Sequence, residues 1–202
     1  MPKAGPAKKG PVKKATAKKA TAKKATAKKA TAKKAATKKA APPRNAGRLE
    51  AGDRAPAFSL PDQDGRKVSL KAFAGSPLVV YFYPADDTPG CTKEASQFND
   101  NLHAFNRAGV AVVGISPDDA ASHRAFRAKY GLRLPLLSDP SHTTMERYGA
   151  WGEKTLYGRK SMGVIRSTFL VGADGRVARA WYGVRADGHA AKVLEEAASP
   201  RT

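Results

Sequence analysis

The chain has 202 residues and a formal net charge of +20, with 37 Lys and Arg against 17 Asp and Glu and a single Cys. One cysteine excludes an internal disulfide framework and any Cys-rich metal site. The charge is unevenly placed: residues 1–49 hold 15 Lys, 2 Arg and no acidic residue, whereas the rest sets 20 basic against 17 acidic side chains.

Residues 1–47 read as a disordered Lys/Ala-repeat tail and linker, and residues 48–202 as one folded domain. The tail is built from Lys, Ala, Thr, Gly and Pro, which cannot bury enough apolar surface to offset the entropy of ordering. From Lys13 to Ala35 the unit Lys-Lys-Ala-Thr-Ala recurs. Five residues advance a helix by about 500°, so lysine pairs would spiral round the axis without leaving an apolar face. A coiled coil and a membrane-surface helix are both excluded on that ground. A solvated polycation remains, with lysine pairs at Lys8 and Lys9, Lys13 and Lys14, Lys18 and Lys19, Lys23 and Lys24, Lys28 and Lys29, Lys33 and Lys34, and Lys38 and Lys39. Its expected partner is DNA, held non-specifically through phosphate contacts. A solubilising tail and an acidic protein partner are the alternatives. No signal-peptide or transmembrane run is present, so the expected location is cytoplasmic and nucleoid-associated, or nuclear in a eukaryote, with no membrane partner.

The domain opens at Gly52-Asp53-Arg54-Ala55-Pro56, and Asp62-Gln63-Asp64-Gly65-Arg66 predicts a hairpin turn into Lys67–Leu70. Leu78-Val79-Val80-Tyr81-Phe82-Tyr83 is apolar, β-branched and aromatic, the pattern of a buried strand. The chain leaves it at Pro84 and restarts at Pro89-Gly90-Cys91, where Pro suits the first turn of a helix. The lone cysteine is thereby placed at a helix N-terminus, where free N–H groups and the helix dipole favour an anion. The thiolate is the reactive form of cysteine. A helix is expected from Thr92 to Arg107, then a strand over Val110–Ser116 and a helix to Tyr130. Leu134–Asp139 predicts a short strand, Thr143–Tyr148 a short helix, and Gly163–Val171 one continuous strand. The turn Ala173-Asp174-Gly175 leads into Arg176–Tyr182, and Asp187–Ala198 closes the chain as a helix. The fold class is α/β, with a mixed central sheet flanked by helices. His103, His123, His142 and His189 share no metal-ligand spacing and are taken as surface residues, and no cofactor is expected.

The stretch Pro84-Ala85-Asp86-Asp87-Thr88-Pro89-Gly90-Cys91-Thr92-Lys93-Glu94 resembles the active-site loop of peroxiredoxins, in particular of the peroxiredoxin Q (bacterioferritin comigratory protein) subfamily. Asp53–Phe58 and Arg166-Ser167-Thr168-Phe169-Leu170 resemble the same subfamily, and the tail resembles those of linker histones and bacterial histone-like proteins. The resemblance implies a thioredoxin-like fold and reduction of hydrogen peroxide or organic hydroperoxides by Cys91. It assigns Thr88 to the sulfur and the bound peroxide, Pro84 to shielding the sulfur, and Arg166 to lowering the thiol pKa and stabilising the departing oxygen. Glu94, one turn past Cys91, either orients an arginine or lies solvated. Many members carry a second cysteine five residues on, and this chain has Ser96 there. A one-cysteine peroxidase is therefore expected, using an external thiol such as thioredoxin, glutaredoxin with glutathione, or a small thiol. The chain is expected as a monomer or weak dimer. A DNA-packing protein with a passenger domain and a peroxide sensor with poor turnover are the rival readings.

Overall fold

The computed structural model describes residues 47–156 and 159–199. The Lys/Ala repeat and its linker at Pro42-Pro43 lie outside the described residues. Among the described residues no helix is long and apolar enough to cross a membrane.

The centre is a five-stranded mixed sheet in the order β5-β4-β3-β8-β9. Its strands are β3 (Leu78–Phe82), β4 (Ala111–Ser116), β5 (Leu136–Ser138), β8 (Ser167–Val171) and β9 (Val177–Tyr182). β3, β4 and β5 run parallel, while β8 and β9 are antiparallel to their neighbours. Every residue of β3 is buried, as its uncharged composition requires when both sheet faces are covered. Leu78, Val80 and Phe82 face one core with Ile115, Phe169, Met145 and Tyr148. Val79, Tyr81 and Tyr83 face the other, with Cys91, Phe98, Phe105, Phe126 and Val193. That second core belongs to α1 (Pro89–Asp100), α2 (Leu102–Arg107), α3 (Ala120–Tyr130) and α5 (His189–Ala198). The first is covered by the β1–β2 hairpin (Ser59–Pro61 and Lys67–Ser69), α4 (Thr143–Arg147) and Trp151.

The hairpin at 62–66, the strands β3 to β5 and the closing helix lie where the sequence places them. The helix expected over Thr92–Arg107 is instead two, broken at Asn101, whose Nδ2 donates to the Gln97 carbonyl at 2.8 Å. An asparagine side chain competes for backbone groups in this way, and the apolar spacing runs straight through the break. The single strand expected over 163–171 is also two. β7 (Arg159–Val164) pairs with β6 (Trp151–Leu156) in a separate hairpin, and β8 joins the central sheet. Arg166 stands at the switch between them, so its expected mid-strand position is corrected. Two of the histidines taken as surface residues are buried: His123 is 0% exposed and His189 5%.

Candidate active site

Pairing places the site. Ser167 lies opposite Phe82 in the antiparallel β3–β8 register, so Arg166 comes up beside the point where the chain leaves β3. Seven residues on from Phe82, Pro89 opens α1 and brings Cys91 into its first turn. The Thr92 N–H bonds the Thr88 carbonyl at 2.8 Å, which closes that turn. The cysteine is thus held beyond the carboxyl end of a buried strand, the usual place for a site in an open α/β sheet.

Cys91 is 1% exposed and free. Arg166 Nη2 donates to Cys91 Sγ at 3.2 Å, and Nη1 of the same guanidinium pairs with Glu94 Oε2. A positive charge therefore sits beside the only thiol sulfur of the chain. Burial works against the Arg166 charge, but the facing Glu94 carboxylate and Cys91 sulfur outweigh it and hold the guanidinium above its ordinary range. Burial pushes the Glu94 carboxyl up to about 7, with the charge and hydrogen bond of Arg166 pulling the other way. Glu94 is fully buried and its second oxygen has no partner, so the alternative of a solvated helix glutamate is removed.

Pro84 and Thr88 lie in the loop between β3 and α1, Pro84 half-buried and Thr88 exposed. Thr88 is the N-cap residue of α1 in extended conformation, but its hydroxyl caps no N–H. It donates to the Ala85 carbonyl at 3.2 Å instead, folding the loop onto itself. Ser96, where the resembling proteins carry a second cysteine, is half-buried on α1. The cavity bounded by Arg54, Leu70, Phe73, Leu78 and Val171 lies at the other end of β3 and takes no part in this site. Among the described residues no cluster of His, Cys, Asp and Glu could hold a metal ion.

Sequence reasoning passed over a polar group behind the loop. Asp86, His123, Ser122, Asp118, Ser116 and Tyr83 interlock there through hydrogen bonds of 2.6–3.1 Å. A second buried histidine, His189, bonds the Thr168 hydroxyl at 2.9 Å between the rings of Phe98 and Trp181. Burial, then Lys192 and Arg166, depress its pKa to about 4, so it is neutral near pH 7. The sequence offered one usable signal, the His123 position among the apolar contacts of α3.

The AhpC/TSA family pattern matches residues 51–180. The chain belongs to that family, and it is a peroxiredoxin. A putative peroxiredoxin of Mycobacterium tuberculosis is 54% identical over 149 residues, covering 74% of this chain and 95% of the relative. Peroxiredoxin Bcp of Escherichia coli K12 is 44% identical over 146 residues, 72% of this chain and 94% of the relative. Among solved structures, Xanthomonas campestris peroxiredoxin Q superposes with a TM-score of 0.69 at 40% identity, covering 73% of this chain and 96% of that one. A structure of the X. campestris bacterioferritin comigratory protein, described for its alkyl peroxide reduction activity, gives 0.69 at 39% identity, covering 73% and 97%. The peroxiredoxin fold is accordingly thioredoxin-like, and the enzyme is a thiol-dependent peroxidase of the Bcp and peroxiredoxin Q kind.

Proposed function

We propose that this peroxiredoxin works through Cys91 alone and is regenerated by a thiol from outside the chain. The observation that carries the reading is the Arg166 guanidinium donating to the only sulfhydryl of the 202 residues. The thiolate attacks one oxygen of a hydroperoxide ROOH. The S–O bond forms as the O–O bond breaks, and sulfur gives up the electron pair. RO⁻ leaves and takes a proton to become ROH, while Cys91 becomes a sulfenic acid. Arg166 faces the charge that moves from sulfur to the leaving oxygen, and a preorganised donor there lowers the barrier. Glu94 holds that guanidinium in line by its own ion pair. Thr88 and Pro84, in the loop that leads into the turn of Cys91, are assigned to the approach: the hydroxyl to the incoming peroxide and the ring to screening the sulfur from bulk water.

An external thiol then condenses with the sulfenic acid, releasing water and leaving a mixed disulfide. A second thiol frees Cys91 as the disulfide of the reductant departs. Hydrogen peroxide and organic hydroperoxides both fit this chemistry, and the alkyl peroxide reduction described for the X. campestris protein favours including the latter. The tail adds a tether: its paired lysines suit non-specific DNA contact, which would hold the peroxidase near nucleic acid in the cytoplasm or nucleoid.

The test is mass spectrometry of Cys91 after one equivalent of hydrogen peroxide, with and without thioredoxin, glutaredoxin with glutathione, or a small thiol. One added oxygen on Cys91, removed by at least one reductant, is expected, with no consumption by Cys91→Ser. Persistent peroxide consumption by Cys91→Ser would sink the reading.

A further inference from the structure

We propose that Asp86 and His123 are positioning residues for the peroxide step, latching the Pro84–Thr88 loop onto α3 so that the turn carrying Cys91 is held in its reacting geometry. The inference rests on Cys91 as the reacting sulfur.

The loop has no regular structure of its own, yet it carries Pro84 and Thr88 and leads directly into the first turn of α1. Asp86 is its anchor. One carboxylate oxygen accepts from the Tyr83 hydroxyl at 2.7 Å; the other accepts from the Ser122 hydroxyl at 2.8 Å and lies 2.8 Å from His123 Nδ1. The backbone N–H of Asp86 donates to Asp118 Oδ2 at 2.8 Å, and the same oxygen accepts from the Ser116 hydroxyl at 2.6 Å. The carboxylate of Asp86 is 4% exposed and the imidazole of His123 0%. The next residue, Asp87, takes the left-handed conformation at φ 55° without being glycine. Its carboxylate turns outward to Lys129 Nζ at 2.7 Å and the Tyr130 hydroxyl at 2.6 Å, again on α3. Two consecutive aspartates therefore grip one helix from inside and outside, and the second of them is the residue in the left-handed conformation. Strain of this kind persists only where the surroundings over-determine it.

A polar cluster serving stability alone is the competing account. Buried polar pairs add little net stability over apolar side chains of the same volume, and His123 Nε2 is left here without a partner, a further cost. What such a pair does supply is one conformation in place of several, and the loop it fixes ends three residues before the sulfur.

The test measures two reactions of Cys91 in the full chain: single-turnover oxidation by hydrogen peroxide, which needs loop geometry, and alkylation by iodoacetamide, which needs access to the sulfur. In Asp86→Ala the peroxide rate is expected to fall about 10- to 100-fold, in line with the sensitivity of reaction rates to misplacement of about 1 Å. The iodoacetamide rate is expected to rise in the same protein, and Asp86→Asn, which keeps one acceptor, to lie between. A folded Asp86→Ala with an unchanged peroxide rate, or with both rates falling together, overturns the latch. Should Asp86→Ala fail to fold, Ser122→Ala removes one bond to the same carboxylate and the same opposed shifts decide. A parent chain whose Cys91 resists peroxide overturns the reading of the sulfur and the latch with it, whereas fast oxidation in both parent and variant overturns the latch alone.

Discussion

Glu94 is the residue on which the electrostatics of the site turn, because it is fully buried and shares the guanidinium that reaches Cys91. Its folded-state pKa, pushed by burial to about 7 from an ordinary value of 4.5, has a consequence for stability as well as for positioning. Between those two values the unfolded chain has already released the proton that the folded chain still holds. The contribution of Glu94 to stability is therefore fully present below about 4.5 and is lost as pH rises through about 7. The size of that loss is on the order of 3 kcal/mol at most, at about 1.4 kcal/mol per pKa unit. Glu94→Gln cannot titrate, so its stability relative to the parent is expected to improve between pH 5 and pH 8, read from denaturant midpoints of both proteins. Equal pH dependence in the two would show that Glu94 titrates in its ordinary range. Activity should move the other way, since a neutral amide holds Arg166 less firmly against the sulfur.

At the scale of elements, the strand pair β3–β4 supports the site through a single missing side chain. Gly114 in β4 pairs with Tyr81 in β3, and a Cβ at 114 would lie 2.6 Å from the Tyr81 ring carbon Cζ and its hydroxyl. The ring cannot yield easily, because it is fully buried and stacks on Phe98 of α1 at 4.7 Å between centroids. Gly114→Ala is expected to destabilise by about 1–3 kcal/mol through overpacking, measured by thermal or denaturant unfolding. Loss of well under 1 kcal/mol would mean that α1 shifts to make room, and Cys91 with it. This glycine shows where sequence reading stops. The apolar run 78–83 and the restart at Pro89 made β3, α1 and the place of Cys91 legible, because both are local patterns. The partners of His123, His189 and Glu94 lie 37, 21 and 72 residues away, and no local pattern marks a contact of that span. The switch at Ile165 and Arg166 was hidden for a related reason. Gly163–Val171 reads as one strand, and only pairing with β6 on one side and β3 on the other divides it, with the Ile165 N–H bonding the Ala150 carbonyl at 2.8 Å. Arg166 was found nonetheless, because Arg166-Ser167-Thr168-Phe169-Leu170 resembles the peroxiredoxin Q subfamily.

For the whole molecule, the comparisons separate two materials. The M. tuberculosis relative uses 95% of its length to match 149 residues here, which leaves it no room for a segment like residues 1–46. The peroxidase chemistry therefore belongs to the part this chain has in common with such relatives, and whatever the Lys/Ala repeat does is added to it. If about 7 of its lysines meet phosphates together, log affinity for a short DNA duplex should fall against log salt with a slope near −6. A chain beginning at Gly47 keeps 20 basic against 17 acidic residues apart from Arg48, and so has little excess charge with which to displace counterions. It is expected to lose the binding while its Cys91 reacts with peroxide at the parent rate. Fluorescence anisotropy on a duplex of fixed length, repeated across salt concentrations for both proteins, reads the slope directly. A truncated chain that still binds with the parent slope would move the contact onto the folded part, where residues 120–138 carry Arg124, Arg127, Lys129 and Arg133 without a single acid. A slope near zero in the parent would remove the tether altogether and leave the charge to serve solubility.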